Sequence, residues 1–116
     1  MIEAYIYASC TSCRKTVAQL EESGAQFERR DFFRHRFSRD ELRSVLDRPG
    51  LAPRDVLSRR SKVYLARSEE IDALDDDALL DLMLEEPTLL RRPLVVKDDR
   101  VVVGHHAGKL AELIAS

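Results

Sequence analysis

The sequence predicts an α/β fold: a mixed sheet flanked by helices, with a helical insertion between its second and third strands. Three observations predict it. A strand-like start runs into a helical stretch at a cysteine pair, Cys10-Thr11-Ser12-Cys13. A second strand-like stretch follows at the spacing of a β-α-β unit, which favours a parallel pair. Two short apolar stretches and a last helical run close the chain, after a middle region with apolar residues at helical intervals.

In order, Ile2 to Ala8 places Ile, Tyr, Ile and Tyr between small residues and reads as a strand. Thr11 to Ser23 reads as a helix, with Val17 and Leu20 at helical spacing and Gly24 just past its end. Gln26 to Phe32 reads as the second strand, with Phe27 and Phe33 as packing residues. Ser38 then opens a helix as N-cap, with Glu41 where a capping box needs it. Leu42, Val45 and Leu46 give that helix its apolar stripe, and Pro49-Gly50 ends it. Pro53 to Ser58 predicts a short helix with Pro53 in an allowed first-turn position. Asp75 to Leu84 predicts another, its apolar side formed by Leu79, Leu80, Leu82 and Met83, and a turn follows over Thr88 to Leu90. Residues 37–90 are thus a helical insert within one domain spanning 1–116. Pro93 to Lys97 and Arg100 to Val103 read as strands joined by a hairpin turn at Asp98-Asp99, and Ala107 to Ala115 as the closing helix. This order is the thioredoxin-like plan with its middle helix replaced by a larger insert.

Bulk properties narrow the function. At 116 residues, with 44% hydrophobic and 34% charged residues, the sequence is that of an ordinary soluble domain. A net charge of −2 gives no general pull toward nucleic acid. No apolar run is long enough to span a membrane, and no basic-then-apolar leader is visible at the N-terminus, so a cytoplasmic location is expected. Arginine is dense from Arg29 to Arg67, whereas Glu69 to Glu86 carries acids and no Lys or Arg. Two mutually attracting solvated faces explain that asymmetry most simply; an anion site lined by some of the arginines is the functional alternative.

Cys10 and Cys13 are the only cysteines. Two cysteines separated by two residues at a strand-to-helix turn form a redox motif. The first sits at a helix N-terminus, where unpaired N–H groups and the helix dipole favour an anion. There a thiol falls from a free pKa of about 8.5 to roughly 3.5–7.5, and the thiolate is the reactive form. Cys13, one turn on, can reach Cys10 and close a disulfide, which in a reducing compartment is transient. Structural zinc needs four ligands, and His35, His105 and His106 lack the spacing to complete a set, so no metal is expected. An inert buried cysteine pair is the other simple explanation.

The blocks Cys10-Thr11-Ser12-Cys13-Arg14-Lys15, Arg60-Ser61-Lys62-Val63-Tyr64, Leu90-Arg91-Arg92-Pro93 and Val103-Gly104, in this order, resemble the arsenate reductase/Spx family nearly end to end. The resemblance implies a glutaredoxin-type sheet and one of two functions. In the reductase branch Cys10 would attack arsenate held by Arg60 and Arg92, with Ser12 and Arg14 at the same turn. Cys13 would then release arsenite by forming the Cys10–Cys13 disulfide. No cofactor would be bound; thioredoxin, or glutaredoxin with glutathione, would supply electrons. Pro93 matches the position where such folds carry a cis proline facing the active cysteine. The alternative branch is a Spx-type redox-sensing transcriptional regulator that binds the RNA polymerase alpha subunit.

Two departures bear on that choice. The reductases carry a further arginine after the last strand, where this chain has Val103-Gly104-His105-His106; His105, His106, Arg14 or Arg91 would have to stand in. Spx-type regulators have a glycine before the Arg-Ser-Lys block, where Ala52 matches better than Gly50. Having both cysteines at the turn is Spx-like. Simpler roles are expected for several residues: the surface for Arg91, ordinary loop positions for His105 and His106, and sheet packing for Tyr5 and Tyr7; for Arg60 an acidic partner from 69–86 is the simpler alternative to an anion-binding role.

Overall fold

The computed structural model describes residues 2–116. The described chain divides into two compact units, residues 2–35 with Arg92–Ser116, and Arg36–Arg91.

The first unit holds a four-stranded mixed sheet in the order β2-β1-β3-β4, formed by β1 (Ile2–Ile6), β2 (Phe27–Asp31), β3 (Leu94–Lys97) and β4 (Arg100–Val103). β1 runs parallel to β2, in a register that sets Ile6 opposite Asp31, and antiparallel to β3. β3 and β4 form the expected antiparallel hairpin, and Asp98 takes φ 56° in its turn. Two helices belong to this unit, α1 (Thr11–Glu22) and α6 (Ala107–Ala115). α1 buries Cys13, Thr16, Val17 and Leu20. Those positions recur at three and four residues, so one stripe of the helix faces the sheet. Ile2, Ala4, Ile6, Val95 and Val102 from the sheet and Leu110 and Leu113 from α6 complete that core. Gly24, at φ 74°, ends α1 as the sequence anticipates, in a left-handed conformation that a side chain would strain.

The second unit is helical. It runs through α2 (Arg39–Asp47), a 3₁₀ turn (Pro53–Val56), α3 (Lys62–Ala66), α4 (Ser68–Asp72), α5 (Asp76–Glu85) and a second 3₁₀ turn (Pro87–Leu89). The capping box forms: Ser38 Oγ accepts from the Glu41 N–H and Glu41 Oε1 accepts from the Ser38 N–H. Leu42, Val45 and Leu46 of α2 are buried, as are Leu79, Leu80 and Met83 of α5. On the exposed side Arg39 pairs with Asp81 and Asp77, and Arg43 with Asp77. The arginine-rich and acid-rich stretches therefore meet as solvated ion pairs, each contributing little individually.

Several elements differ from expectation. β1 stops at Ile6, because the chain turns there and the Cys10 N–H donates to the Tyr7 carbonyl at 3.0 Å. Pro53 to Ser58 yields only a four-residue 3₁₀ turn, since Leu57 leaves it to bridge Leu90. α3 and α4 have no sequence counterpart; at five residues each they are too short to show periodicity. Among the described residues no helix is long and apolar enough to cross a membrane.

Candidate functional site

Cys10 is the N-cap of α1, at φ −84° and ψ 124°. Its carbonyl takes the Arg14 N–H at 3.1 Å, and its sulfur takes the Cys13 N–H at 3.4 Å. The sulfur thus occupies the place a capping oxygen usually fills, in front of the unpaired donors of the first turn. Both thiols are free; Cys10 is half-buried and Cys13 is 1% exposed. The Cys13 sulfur accepts from the Tyr7 N–H at 3.4 Å.

These environments push the two thiols apart. Burial opposes ionisation of Cys10, but its hydrogen bonds with the side chain and N–H of Cys13, with the charge and hydrogen bond of Arg92, together hold it below the ordinary thiol value. Burial pushes Cys13 up to about 12, and the neighbouring Cys10 adds to that rise. One thiol is prepared to ionise while its partner keeps its proton.

Arg92 reaches this site through a cis peptide bond to Pro93. Its guanidinium carbon lies 5.6 Å from the Tyr7 ring centroid and 5.3 Å from that of Phe33. The Tyr7 and Phe33 rings stack with centroids 4.0 Å apart. Tyr7 therefore does more than pack on the sheet: it lies past the end of β1, under an arginine. Tyr5 is buried in β1, and its hydroxyl donates to Glu3.

The remaining expected site residues fall as follows. Ser12 is half-buried in the first turn of α1, and the exposed Arg14 donates Nε to the Ala8 carbonyl at 3.3 Å. Arg60 belongs to the second unit, exposed in the turn before α3. Two acids of the 69–86 stretch engage other arginines: Asp72 pairs with Arg54 and Arg59, and Glu70 with Arg67. Arg91, in the same unit, is exposed, and its N–H donates to the Val56 carbonyl. His105 and His106 lie in the loop before α6, as expected, and each makes a hydrogen bond there. His105 Nδ1 lies 2.8 Å from the hydroxyl of Thr16, a buried polar residue of α1. His106 caps α6 by accepting the Lys109 N–H on Nδ1 at 3.0 Å. Each ring therefore has a structural hydrogen bond where the reductase pattern has an arginine.

A cavity of about 570 Å³ opens beside Cys13, with Ile6, Tyr7 and Val17 in its walls and Arg14, Arg29 and Arg34 at its charged edge. Cys10 is not among its walls.

The model of the ArsC family matches residues 5–113. Regulatory protein MgsR of Bacillus subtilis is 35% identical over 109 residues, covering 94% of this chain and 86% of its own length. The global transcriptional regulator Spx of Listeria innocua is 32% identical over 114 residues, covering 98% of this chain and 87% of its own length. Among solved structures, an arsenate reductase from Vibrio cholerae superposes with a TM-score of 0.85 at 26% identity, covering 97% of this chain and 96% of that one. A glutaredoxin from Archaeoglobus fulgidus, at 22% identity, covers 99% of this chain and 86% of that one with a TM-score of 0.51, a likeness of fold alone.

Proposed function

The chain belongs to the ArsC family, and on that premise we propose that it is a thiol–disulfide redox protein whose Cys10–Cys13 pair serves as a redox switch of the Spx type. The observation that carries the reading is the Cys13 N–H directed at the Cys10 sulfur across 3.4 Å, within a pair whose thiols are driven in opposite directions. A low-pKa thiolate is the group that meets an oxidant. The Cys10 thiolate attacks one oxygen of a peroxide, the O–O bond breaks, the other oxygen leaves as hydroxide or alkoxide, and the sulfur becomes a sulfenic acid. The Cys13 thiol then attacks that sulfur, water leaves, and the disulfide closes. A dithiol carrier such as thioredoxin, or glutaredoxin with glutathione, returns two electrons and restores both thiols. No bound cofactor is needed. The partner of such a switch is the RNA polymerase alpha subunit, and its compartment is the cytoplasm.

The similarity to MgsR and Spx supports this order of preference, since both are named as regulators and are more alike in sequence to this chain than the Vibrio cholerae reductase is. Arsenate reduction is the second reading, favoured by Arg92, whose buried Nε has no hydrogen-bond partner among the described residues. In that reading the Cys10 thiolate displaces water from arsenate to form an S–As bond. Cys13 attacks the Cys10 sulfur, the S–As electron pair passes to arsenic, and arsenite leaves. Arg92, with Ser12 and Arg14, would hold the oxyanion, because a guanidinium pairs two oxygens at once and keeps its charge.

Two assays separate these readings. Reduced and oxidised protein are each offered to the polymerase alpha C-terminal domain, and redox-dependent capture is expected. Arsenate-dependent NADPH consumption is followed with thioredoxin and its reductase, and a rate that vanishes in Cys10→Ser would reverse the order. Failure of the Cys10–Cys13 disulfide to form with peroxide would sink the first reading, and its failure to form with arsenate would sink the second.

A further inference from the structure

We propose that Tyr7 and Phe33 form an aromatic platform that holds the Arg92 guanidinium against Cys10, which makes both rings positioning residues for the reactive sulfur. The inference deepens the thiol-switch reading and rests on it. The guanidinium lies 5.6 Å and 5.3 Å from the two ring centroids. Both distances fall within the reach of about 6 Å over which a cation is drawn to an aromatic face. The rings support each other as a stacked pair, and Phe33 also leans on the buried Phe32, centroids 5.1 Å apart.

Little else fixes the inner end of this side chain. Its Nε is buried and lacks a hydrogen-bond partner among the described residues. Arg39, Arg43, Arg54, Arg59 and Arg67 are each held by a carboxylate. Among the described residues Arg92 has no such ion pair and rests on ring faces. The difference has a chemical use. A carboxylate would anchor the guanidinium equally well but would cancel the charge that the sulfur senses. A ring face attracts the cation through its quadrupole and carries no net charge. The platform therefore holds Arg92 while leaving its positive field intact.

The backbone explains why the rings meet. β1 and β2 are parallel and in register to Ile6 and Asp31, so both release their next residues at the same edge. Asp31 binds the two loops together: Oδ2 accepts the Ala8 N–H at 3.3 Å, and Oδ1 accepts the Phe33 and Arg34 N–H groups at 2.9 and 3.2 Å. Tyr7 and Phe33 flank this carboxylate.

The test is the ionisation of Cys10 in the full-length reduced protein, read from thiolate absorbance near 240 nm and from the pH dependence of iodoacetamide alkylation. Tyr7→Leu and Phe33→Leu are expected to raise the midpoint by half a unit or more, which is about a threefold loss of thiolate below it. Tyr7→Phe keeps a ring and is expected to leave the midpoint in place. Since the leucine variants remove packing, a second replacement puts pentafluorophenylalanine at position 33, keeping the shape but reversing the quadrupole; it too is expected to raise the midpoint. Unchanged midpoints in the leucine and fluorinated proteins, with a rise in Arg92→Met, would overturn the platform and leave the thiol switch standing. A wild-type midpoint at the ordinary thiol value would overturn the parent reading, and this one with it.

Discussion

The N–H of Cys13 lies 3.4 Å from the sulfur of Cys10, so in the proposed switch the residue that would close the disulfide also stabilises the anion that would begin it. Cys13 is itself kept neutral by burial. A buried thiol is a poor nucleophile toward a diffusing oxidant, yet it stands beside the sulfur that the proposed switch has it attack. This asymmetry would give that chemistry a direction, with Cys10 reacting first and Cys13 second.

That direction predicts unequal cysteine variants. Cys13→Ser is expected to react with peroxide at Cys10 and accumulate a sulfenic acid that dimedone traps. Cys10→Ser is expected to be alkylated at neutral pH at least ~10-fold more slowly than wild type, because the remaining thiol is protonated. Mass spectrometry of both variants checks this, and equal rates would contradict the assignment of Cys10 as the attacking thiol.

Stability should fall in alkali because of Cys13. The folded protein holds its proton up to about 12, whereas the unfolded chain releases it near the ordinary 9. Between those values the unfolded state binds one proton fewer, so this group lowers stability as pH rises, by about 1.4 kcal/mol per pH unit at most. Cys10 acts oppositely and in a lower window, since its stabilisation is complete above the unfolded value and fades as pH falls through the folded one. Urea unfolding between pH 9 and 11 should therefore show a flatter profile for Cys13→Ala than for wild type.

Thr16 is 1% exposed, and its hydroxyl lies 2.8 Å from His105 Nδ1. Thr16→Val keeps the shape and leaves a ring nitrogen without its partner, so a loss of about 1–2 kcal/mol is expected in urea unfolding. Thr16→Ser, which keeps the hydroxyl, should recover most of that hydrogen-bond energy.

Ser38→Ala removes one half of the capping box on α2 and should cost about 1 kcal/mol, with Ser38→Asp close to wild type. Denaturant midpoints measure both.

Local chemistry was readable wherever a local rule governs. Ala107–Ala115 forms a helix over the expected residues, Ser38 and Glu41 build their box, and the two-cysteine turn lands on a helix N-terminus. The cis bond before Pro93 came from family likeness, since nothing in neighbouring residues dictates it. Tyr7 and Phe33 could not be paired from periodicity, because their meeting depends on strand register and on three N–H groups gathered by Asp31. Two aromatic residues just past the ends of adjacent parallel strands would have been the available signal. His105 and His106 lie in the loop that the sequence predicts, but their hydrogen bonds escape local rules, since one bonds across 89 positions of sequence to Thr16 and the other caps a helix without being Ser, Thr, Asp or Asn.

The strand order β2-β1-β3-β4 also governs how the protein emerges during synthesis. The strand that leads to the cysteines is made first, but its antiparallel neighbour begins only at Leu94. Until translation passes that point, one side of Ile2–Ile6 has unpaired hydrogen-bonding groups, while the contiguous 36–91 segment has all its own parts. The helical segment is therefore free to acquire structure early, and the sheet that leads into Cys10 and Cys13 gains its third strand only after Leu94 is made.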